Sequence, residues 1–354
     1  MRHYGFSVGR LPSGSQNCIT DVTGVRVGHI TLKEADQGVC TGVTAILPHD
    51  KNPFLEKTTA VSHVINGFSK TTGLIQVDEL GVLESPILLT NTFGVPAVTE
   101  GALQWLMEKK PEIGDTDSTV NIVTAECNDG WLNDLRGLHL HPDHAIQAIQ
   151  QAEKNQLSEE GAIGAGAGMI SYGWKGGIGT ASRRLQRNDL VGYIEAMVLT
   201  NFGKPEELTI LGVPMNHLKK KPTQPSRDGS VIVILATDLP FSSRQLKRLA
   251  KRTPFGLART GSMAHHGSGE IVIAFSNAER KPHRPTASVL SSKQIAEDGP
   301  LMTECFQAVV EATEEAVYNS LFAAETTFGR NGRYIEALPH HQVIQRLKQA
   351  KDRL

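Results

Sequence analysis

The 354-residue sequence predicts an α/β fold, either one sheet covered on both faces or two sheets packed together with helices outside. Three observations lead there. Nearly continuous apolar strand segments recur along the chain, they fall in two runs separated by helical patterns, and residues 301–328 carry one long helical periodicity.

Residues 24–32, GVRVGHITL, and 39–47, VCTGVTAIL, are rich in β-branched residues and bounded by turn residues, so both are expected as strands. SPILLTNTFG gives another short apolar run. In VPAVTEGALQWLMEKK, Val98, Leu103, Leu106 and Met107 suit a helix whose basic end, Lys109 and Lys110, complements the macrodipole. STVNIVTAEC returns to strand composition, and HPDHAIQAIQQAEK starts a helix with Pro142 at its first position and Ile146 and Ile149 on one face. The glycine-rich residues 161–185 are expected as twisted, closely packed strands. They do not fit a dinucleotide loop, because Met169 and Ser171 stand three positions after Gly166 and Gly168 and a polar segment precedes.

LVGYIEAMVLTN and ELTILGV lead to a segment with Lys219, Lys220, Lys221, Pro222 and Pro225 and no periodicity, expected as an exposed linker. SVIVILATD is then a continuous apolar strand, SSRQLKRLAKRTPFGLAR a helix capped by Ser242 or Ser243, and GEIVIAFSN a further strand. Met302, Phe306, Val309, Val310, Ala316, Val317 and Leu321 share a helical phase, with Gly329 just past the expected end, and a short charged helix finishes the chain. The 125 residues from Ser230 onward hold too few strands to close a core alone, so residues 1–354 are expected to form a single domain.

Lys and Arg total 36 against 37 for Asp and Glu, a net charge of −1 that gives no reason to expect nucleic acid or an acidic membrane as partner. The first 18 residues lack a signal-peptide core and no segment has the run of about 20 apolar residues that spans a bilayer, so a soluble, cytoplasmic protein is the default expectation. Cys18, Cys40, Cys127 and Cys305 are far apart, with no C-x-x-C pair, and are expected as buried reduced thiols. His139, His141 and His144 cluster across a loop-to-helix junction. They are expected in surface or capping roles, with no metal, and His340 and His341 as decoration of the tail. His265 and His266 lie near the candidate site in sequence and are candidates to touch substrate.

Ser230 stands where the linker becomes a strand, after Gly229. Glycine permits strained backbone angles and leaves its carbonyl open, so the serine hydroxyl can attack that carbonyl in an N-to-O acyl shift. Hydrolysis of the ester would make Ser230 a new N-terminus, carrying a nucleophile together with an amine of pKa near ~8 that serves as base. By composition alone, Asp-Gly-Ser is mostly an ordinary turn.

Neighbouring segments favour the chemical reading. ITDVTGVRVGHITL, SPILLTNTFGV, ECNDGWLND, GAIGAGAGM with KGGIGTASR, NFG, DGSVIVILATD and GSGEIVIAFS together resemble the L-aminopeptidase/D-esterase family, which also contains β-aminopeptidases. The resemblance runs from about residue 19 to 276 in the expected order. It implies a four-layer αββα sandwich, two packed sheets between helical layers, similar to the N-terminal-nucleophile hydrolases but differently connected. It implies cleavage between Gly229 and Ser230 into chains 1–229 and 230–354, and a homo-oligomer, commonly four copies of the processed pair. Ser268 and Glu270 are placed beside the nucleophile, Ser268 as proton relay and Glu270 holding the ammonium of Ser230 or orienting the serines. Asn201 matches the amide that stabilises the oxyanion, and Glu126 the carboxylate that receives the substrate's free amine. Asn128 and Trp131 line the pocket. NTFGVPAV departs from the family's usual run and implies an altered pocket shape.

The expected activity is a self-processing serine aminopeptidase acting on peptides, amides or esters without a cofactor. The alternatives are an inactive binding or scaffold member of the fold and an acyltransferase of similar architecture. The latter is disfavoured because those relatives process before threonine.

Overall fold

The computed structural model describes residues 1–155, 157–188, 190–216, 218 and 229–352. The linker residues Lys219, Lys220, Lys221, Pro222 and Pro225 lie outside them. In chain order the elements are β1 (Arg26–Glu34), β2 (Val39–Leu47), β3 (Glu56–Gly67), α1 (Leu74–Leu80), β4 (Val82–Leu83), β5 (Ile87–Asn91), α2 (Val95–Lys109), β6 (Val123–Cys127) and α3 (Pro142–Lys154). Two short pairs, β7 (Ile170–Ser171) with β8 (Trp174–Lys175) and β11 (Thr209–Ile210) with β12 (Val213–Pro214), flank the long hairpin β9 (Ile178–Arg187) and β10 (Leu190–Asn201). After the linker come β13 (Ser230–Thr237), α4 (Ser243–Ala250), α5 (Thr253–Arg259), β14 (Gly269–Pro282), α6 (Pro300–Phe322), β15 (Thr327–Phe328), β16 (Tyr334–Ile335) and α7 (His340–Lys351).

Two sheets carry the fold. One is four-stranded, β1-β2-β5-β6, and the other six-stranded, β4-β3-β14-β13-β10-β9. Helices α2 and α3 cover the outer face of the first, while α4, α5 and α6 cover the second. Among the described residues, three large apolar cores and one small one result. Trp105, Leu106 and Ile149 fill the layer under α2 and α3, Val309, Val317 and Leu321 the layer under α6, and Ile46, Leu89, Ile232 and Ile273 the space between the sheets. This is the expected αββα sandwich.

β13 shows why the sequence folds this way. All eight of its residues are buried. Val231, Val233 and Leu235 face the α6 side, and Ile232, Ile234 and Ala236 face the other sheet. A strand so enclosed needs apolar residues at every position, which is the continuous run read in the sequence. Truncating Ile234 to alanine would cost about 2–5 kcal/mol. β13 pairs antiparallel with β10 and parallel with β14, which pairs with β3, so the strands after Gly229 lie between strands that precede it.

Several expectations are corrected. The stretch read as one helix from Ser242 is two, α4 capped by Ser242 and α5 starting at Thr253, because Pro254 cannot continue the first. The long helix ends at Phe322 rather than before Gly329, since the chain leaves the helix after Phe322 and Thr327 and Phe328 form a short strand. Residues 161–177 are mostly a packed loop and only Ile178 begins a long strand. The close packing is real, however. A Cβ on Gly166 would lie 2.7 Å from the Gly177 Cα. His340 is no decoration: its ring stacks on Phe322 at 4.8 Å and its Nδ1 is 3.2 Å from the Tyr4 hydroxyl. All four cysteines are buried and unpaired. Among the described residues, no helix is long and apolar enough to cross a membrane.

Candidate active site

Ser230 opens β13 and is almost wholly buried. Strand register sets its neighbours: Asn201, the last residue of β10, on one side and Gly269, the first of β14, on the other. The preceding Gly229 carbonyl accepts a hydrogen bond from the Gly269 N–H at 3.1 Å. Gly229 is tightly enclosed. A Cβ there would meet the Asn201 carbonyl oxygen at 2.2 Å and the Phe202 Cα at 2.5 Å. Close backbone approach therefore demands glycine at this position.

The Asn201 amide is fixed at both ends. Its Oδ1 accepts from the Ile170 N–H at 3.0 Å and its Nδ2 donates to the Asn128 carbonyl at 2.9 Å. Only an oxygen can take the first bond, so the amide orientation is determined, and one Nδ2 hydrogen has no partner among the described residues. Ile170 is held in turn by Lys175, a residue the sequence analysis did not single out. Its fully buried ammonium donates to the carbonyls of Gly166, Met169 and Gly176 at 3.0, 2.7 and 2.7 Å. Burial pulls its pKa down to about 7. The signal was present in the sequence: Lys175 is the one charged residue from Gly161 to Ser182, and a lone charge among glycines and apolar residues needs carbonyl partners.

Glu126, in β6, is buried. Its Oε1 accepts from the Ser69 hydroxyl at 3.1 Å and the Lys70 N–H at 2.9 Å, and its Oε2 from the Thr92 hydroxyl at 2.5 Å. Ser69 connects it to the nucleophile's surroundings, because a Cβ on Gly269 would lie 2.6 Å from the Ser69 Cβ. The Cys127 thiol beside Glu126 donates to the Leu199 carbonyl at 3.6 Å, drawing the end of β6 against β10. Asn128 is exposed, and its own Oδ1 accepts from the Gly130 N–H at 2.9 Å. Trp131 is half-buried under the Arg333 guanidinium, 4.3 Å from its ring.

The Ser268 hydroxyl donates to Glu270 Oε1, as the spacing of two along a strand allows. Both are buried, and Glu270 Oε2 has no partner among the described residues. Burial raises the Glu270 pKa, and the Ser268 hydrogen bond and His265 pull it back. Asn66 donates to the carbonyls of His265, His266 and Ser268 at 2.9, 3.1 and 2.6 Å, anchoring this loop to β3. His265 itself pairs with Glu207 at 2.8 Å. The alternation of β13 gives Ser230 the face of Ile232, whereas Glu270 shares the face of Val272. Ser268 and Glu270 thus flank the register partner of Ser230 from the opposite face of the sheet, and no hydrogen bond among the described residues joins them to its hydroxyl. His141 and His144 lie elsewhere, closing the N-terminus of α3 where the His141 N–H donates to His144 Nδ1 at 3.0 Å.

The chain that carries this arrangement is similar to known proteins over nearly its whole length. The sequence fits the profile of peptidase family S58 from residue 17 to 335. The chain belongs to that family. It is 37% identical to a beta-peptidyl aminopeptidase of Sphingosinicella microcystinivorans, covering 95% of this chain and 88% of the relative. The fold matches the L-aminopeptidase D-Ala-esterase/amidase of Ochrobactrum anthropi, described as a prototype for the serine aminopeptidases and a new variant of the Ntn hydrolase fold. That match has a TM-score of 0.92 at 34% identity over 99% of this chain and 98% of the other. A Pyrococcus horikoshii protein gives a TM-score of 0.93 at 43% identity, with 99% of each chain covered. This S58 member is therefore a serine-type aminopeptidase with an Ntn-hydrolase-like αββα fold, and its substrates are peptides or amides. An inactive scaffold is not favoured.

Proposed function

We propose that the chain cuts its own bond between Gly229 and Ser230, that fragments 1–229 and 230–354 stay together as one domain, and that Ser230 then releases N-terminal residues through an acyl-enzyme. The observation that carries this reading is the placement of Ser230 at the start of a central strand with the preceding carbonyl already hydrogen-bonded to the Gly269 N–H. In the first reaction the Ser230 Oγ attacks the Gly229 carbonyl carbon, and the Gly269 N–H supports the negative charge that develops on its oxygen. The C–N bond breaks, the Ser230 amine takes the proton, and water then splits the ester into a Gly229 carboxylate and a free serine.

In turnover the terminal amine, with a pKa near ~8, accepts the hydroxyl proton as Ser230 attacks the substrate carbonyl. The free Nδ2 hydrogen of Asn201 stabilises the tetrahedral oxyanion. Severed from Gly229, Ser230 is joined to the chain only through Val231, and its new terminus can turn toward Ser268 and Glu270, which relay the proton and hold the ammonium. Glu126 has three of its roughly four acceptor sites filled, leaving one for the substrate's ammonium. That explains an exopeptidase: a blocked amine leaves the buried carboxylate unpaired. Asn128 and Trp131 complete the pocket wall, and the chemistry needs no cofactor or metal.

Val64, Phe68, Ile75 and Leu80 are exposed on neighbouring elements and support a homo-oligomer, proposed as a tetramer of the processed pair. Four unpaired thiols suit a reducing compartment, and the cytoplasm is the proposed location. The test of the activity is a pair of aminoacyl anilides, one with a free amine and one N-acetylated. Only the free amine should be hydrolysed, and equal turnover of both would overturn the reading.

A further inference from the structure

We infer that a pocket beside Glu270 receives the residue following the scissile bond and selects an uncharged apolar side chain there. The inference rests on the Ser230 aminopeptidase reading above. The pocket has a volume of about 280 Å³ and is walled by Ile65, Phe255, Leu257 and Met263, with Glu270 the one charged lining residue among the described residues. Its size, at the lower edge of ligand sites, suits one side chain rather than a whole ligand.

Its position decides which part of the substrate it takes. Ser69, which donates to Glu126, lies over Gly269 on the face of Ser230, so the substrate's amine and first residue belong on that side. Glu270 and the pocket lie on the other face, under α5. When the acyl-enzyme forms, the C–N bond breaks and the departing nitrogen needs a proton. The Ser268–Glu270 pair is the proton-bearing group on the pocket side, so the departing amine leaves there and its side chain enters the apolar walls. Among the described residues the pocket lining offers no cation, so an acidic side chain there would lose its hydration with no partner, beside the Glu270 carboxylate, while Leu or Phe would bury apolar surface.

The test uses purified, processed protein and dipeptides that share an N-terminal residue and carry Leu, Phe, Gly or Asp second, with the simple amide of the same N-terminal residue as reference. Expected kcat/KM is at least about tenfold higher for Leu and Phe than for Gly, and higher again relative to Asp. Ala258 lines the pocket from the exposed side of α5, so Ala258→Trp fills it without disturbing the core, and the Leu-to-amide ratio should fall about tenfold. Met263→Lys should raise the Asp-to-Leu ratio. Equal rates across the dipeptides, or an unchanged ratio in Ala258→Trp with an altered oligomeric mass, would overturn the inference and mark the patch as a contact between copies. Failure to hydrolyse the amide itself would overturn the aminopeptidase reading, and the inference with it.

Discussion

Replacing Glu126 with glutamine separates the recognition of substrate from the chemistry of Ser230. Glutamine keeps the side chain's shape, and its carbonyl oxygen still accepts from Ser69 and the Lys70 N–H, while the Thr92 hydroxyl can turn to accept from the new amide. What is lost is the charge. Removing one partner of a buried, hydrogen-bonded ion pair costs about 2–5 kcal/mol, which at 1.4 kcal/mol per decade is a loss of roughly 30- to 4,000-fold in kcat/KM. The assay is hydrolysis of aminoacyl anilides with free and acetylated amines, read beside a denaturing gel. Glu126→Gln should lose most of its discrimination between the two. It should still cut itself, because the Gly229–Ser230 bond carries no free amine. Turnover of the free amine within threefold of wild type would refute the role of Glu126, and so would a chain that no longer processes.

Further outcomes follow from the same geometry. Gly229→Ala places a Cβ 2.2 Å from the Asn201 carbonyl oxygen, so the uncut chain should accumulate on a denaturing gel; cleavage at the wild-type rate would contradict the close approach. Ser268→Ala removes a hydrogen bond that lowers the already raised Glu270 pKa, so the acid limb of the residual activity's pH profile should move to higher pH, and a shift to lower pH would be incompatible with it. Lys175→Met strands three buried carbonyls, and a loss of about 1–3 kcal/mol should appear in denaturant unfolding, with kcat falling more than KM changes as Asn201 loses its anchor. The Lys175 pKa falls from 10.5 unfolded to about 7 folded, so between those values the unfolded chain binds more protons and stability gained from Lys175 rises with pH. The gap in melting temperature between wild type and Lys175→Met should accordingly be wider at pH 9 than at pH 7.

Much of the scaffold was legible because burial leaves a pattern in the chain. β13 is buried on both faces and reads as SVIVILAT, and α3 carries its proline at the first helical position. Strand β3 was passed over because its pattern breaks: Val64 is exposed and a register irregularity lies between Glu270 and Ile271 opposite it. Helix α1 escaped notice too, with only Val77 buried in its two turns. The candidate site divides in the same way. Ser230, Asn201, Glu126, Ser268 and Glu270 stood out through a family resemblance. Register, which sets Asn201 and Gly269 on either side of Ser230, is a long-range property that no local pattern encodes. Ser69 and Thr92 serve Glu126 from distant loops, and ordinary hydroxyl residues give no sequence signal of such a role.

Self-cleavage at Ser230 is the claim on which the rest depends, and the intact masses of the purified wild-type and Ser230→Ala chains under denaturing conditions test it directly. The account predicts two wild-type fragments, residues 1–229 and 230–354, the smaller beginning Ser-Val-Ile-Val, and a single uncut Ser230→Ala chain. A wild-type chain that hydrolyses aminoacyl anilides while remaining at full-length mass, or a new N-terminus at any other residue, would contradict it.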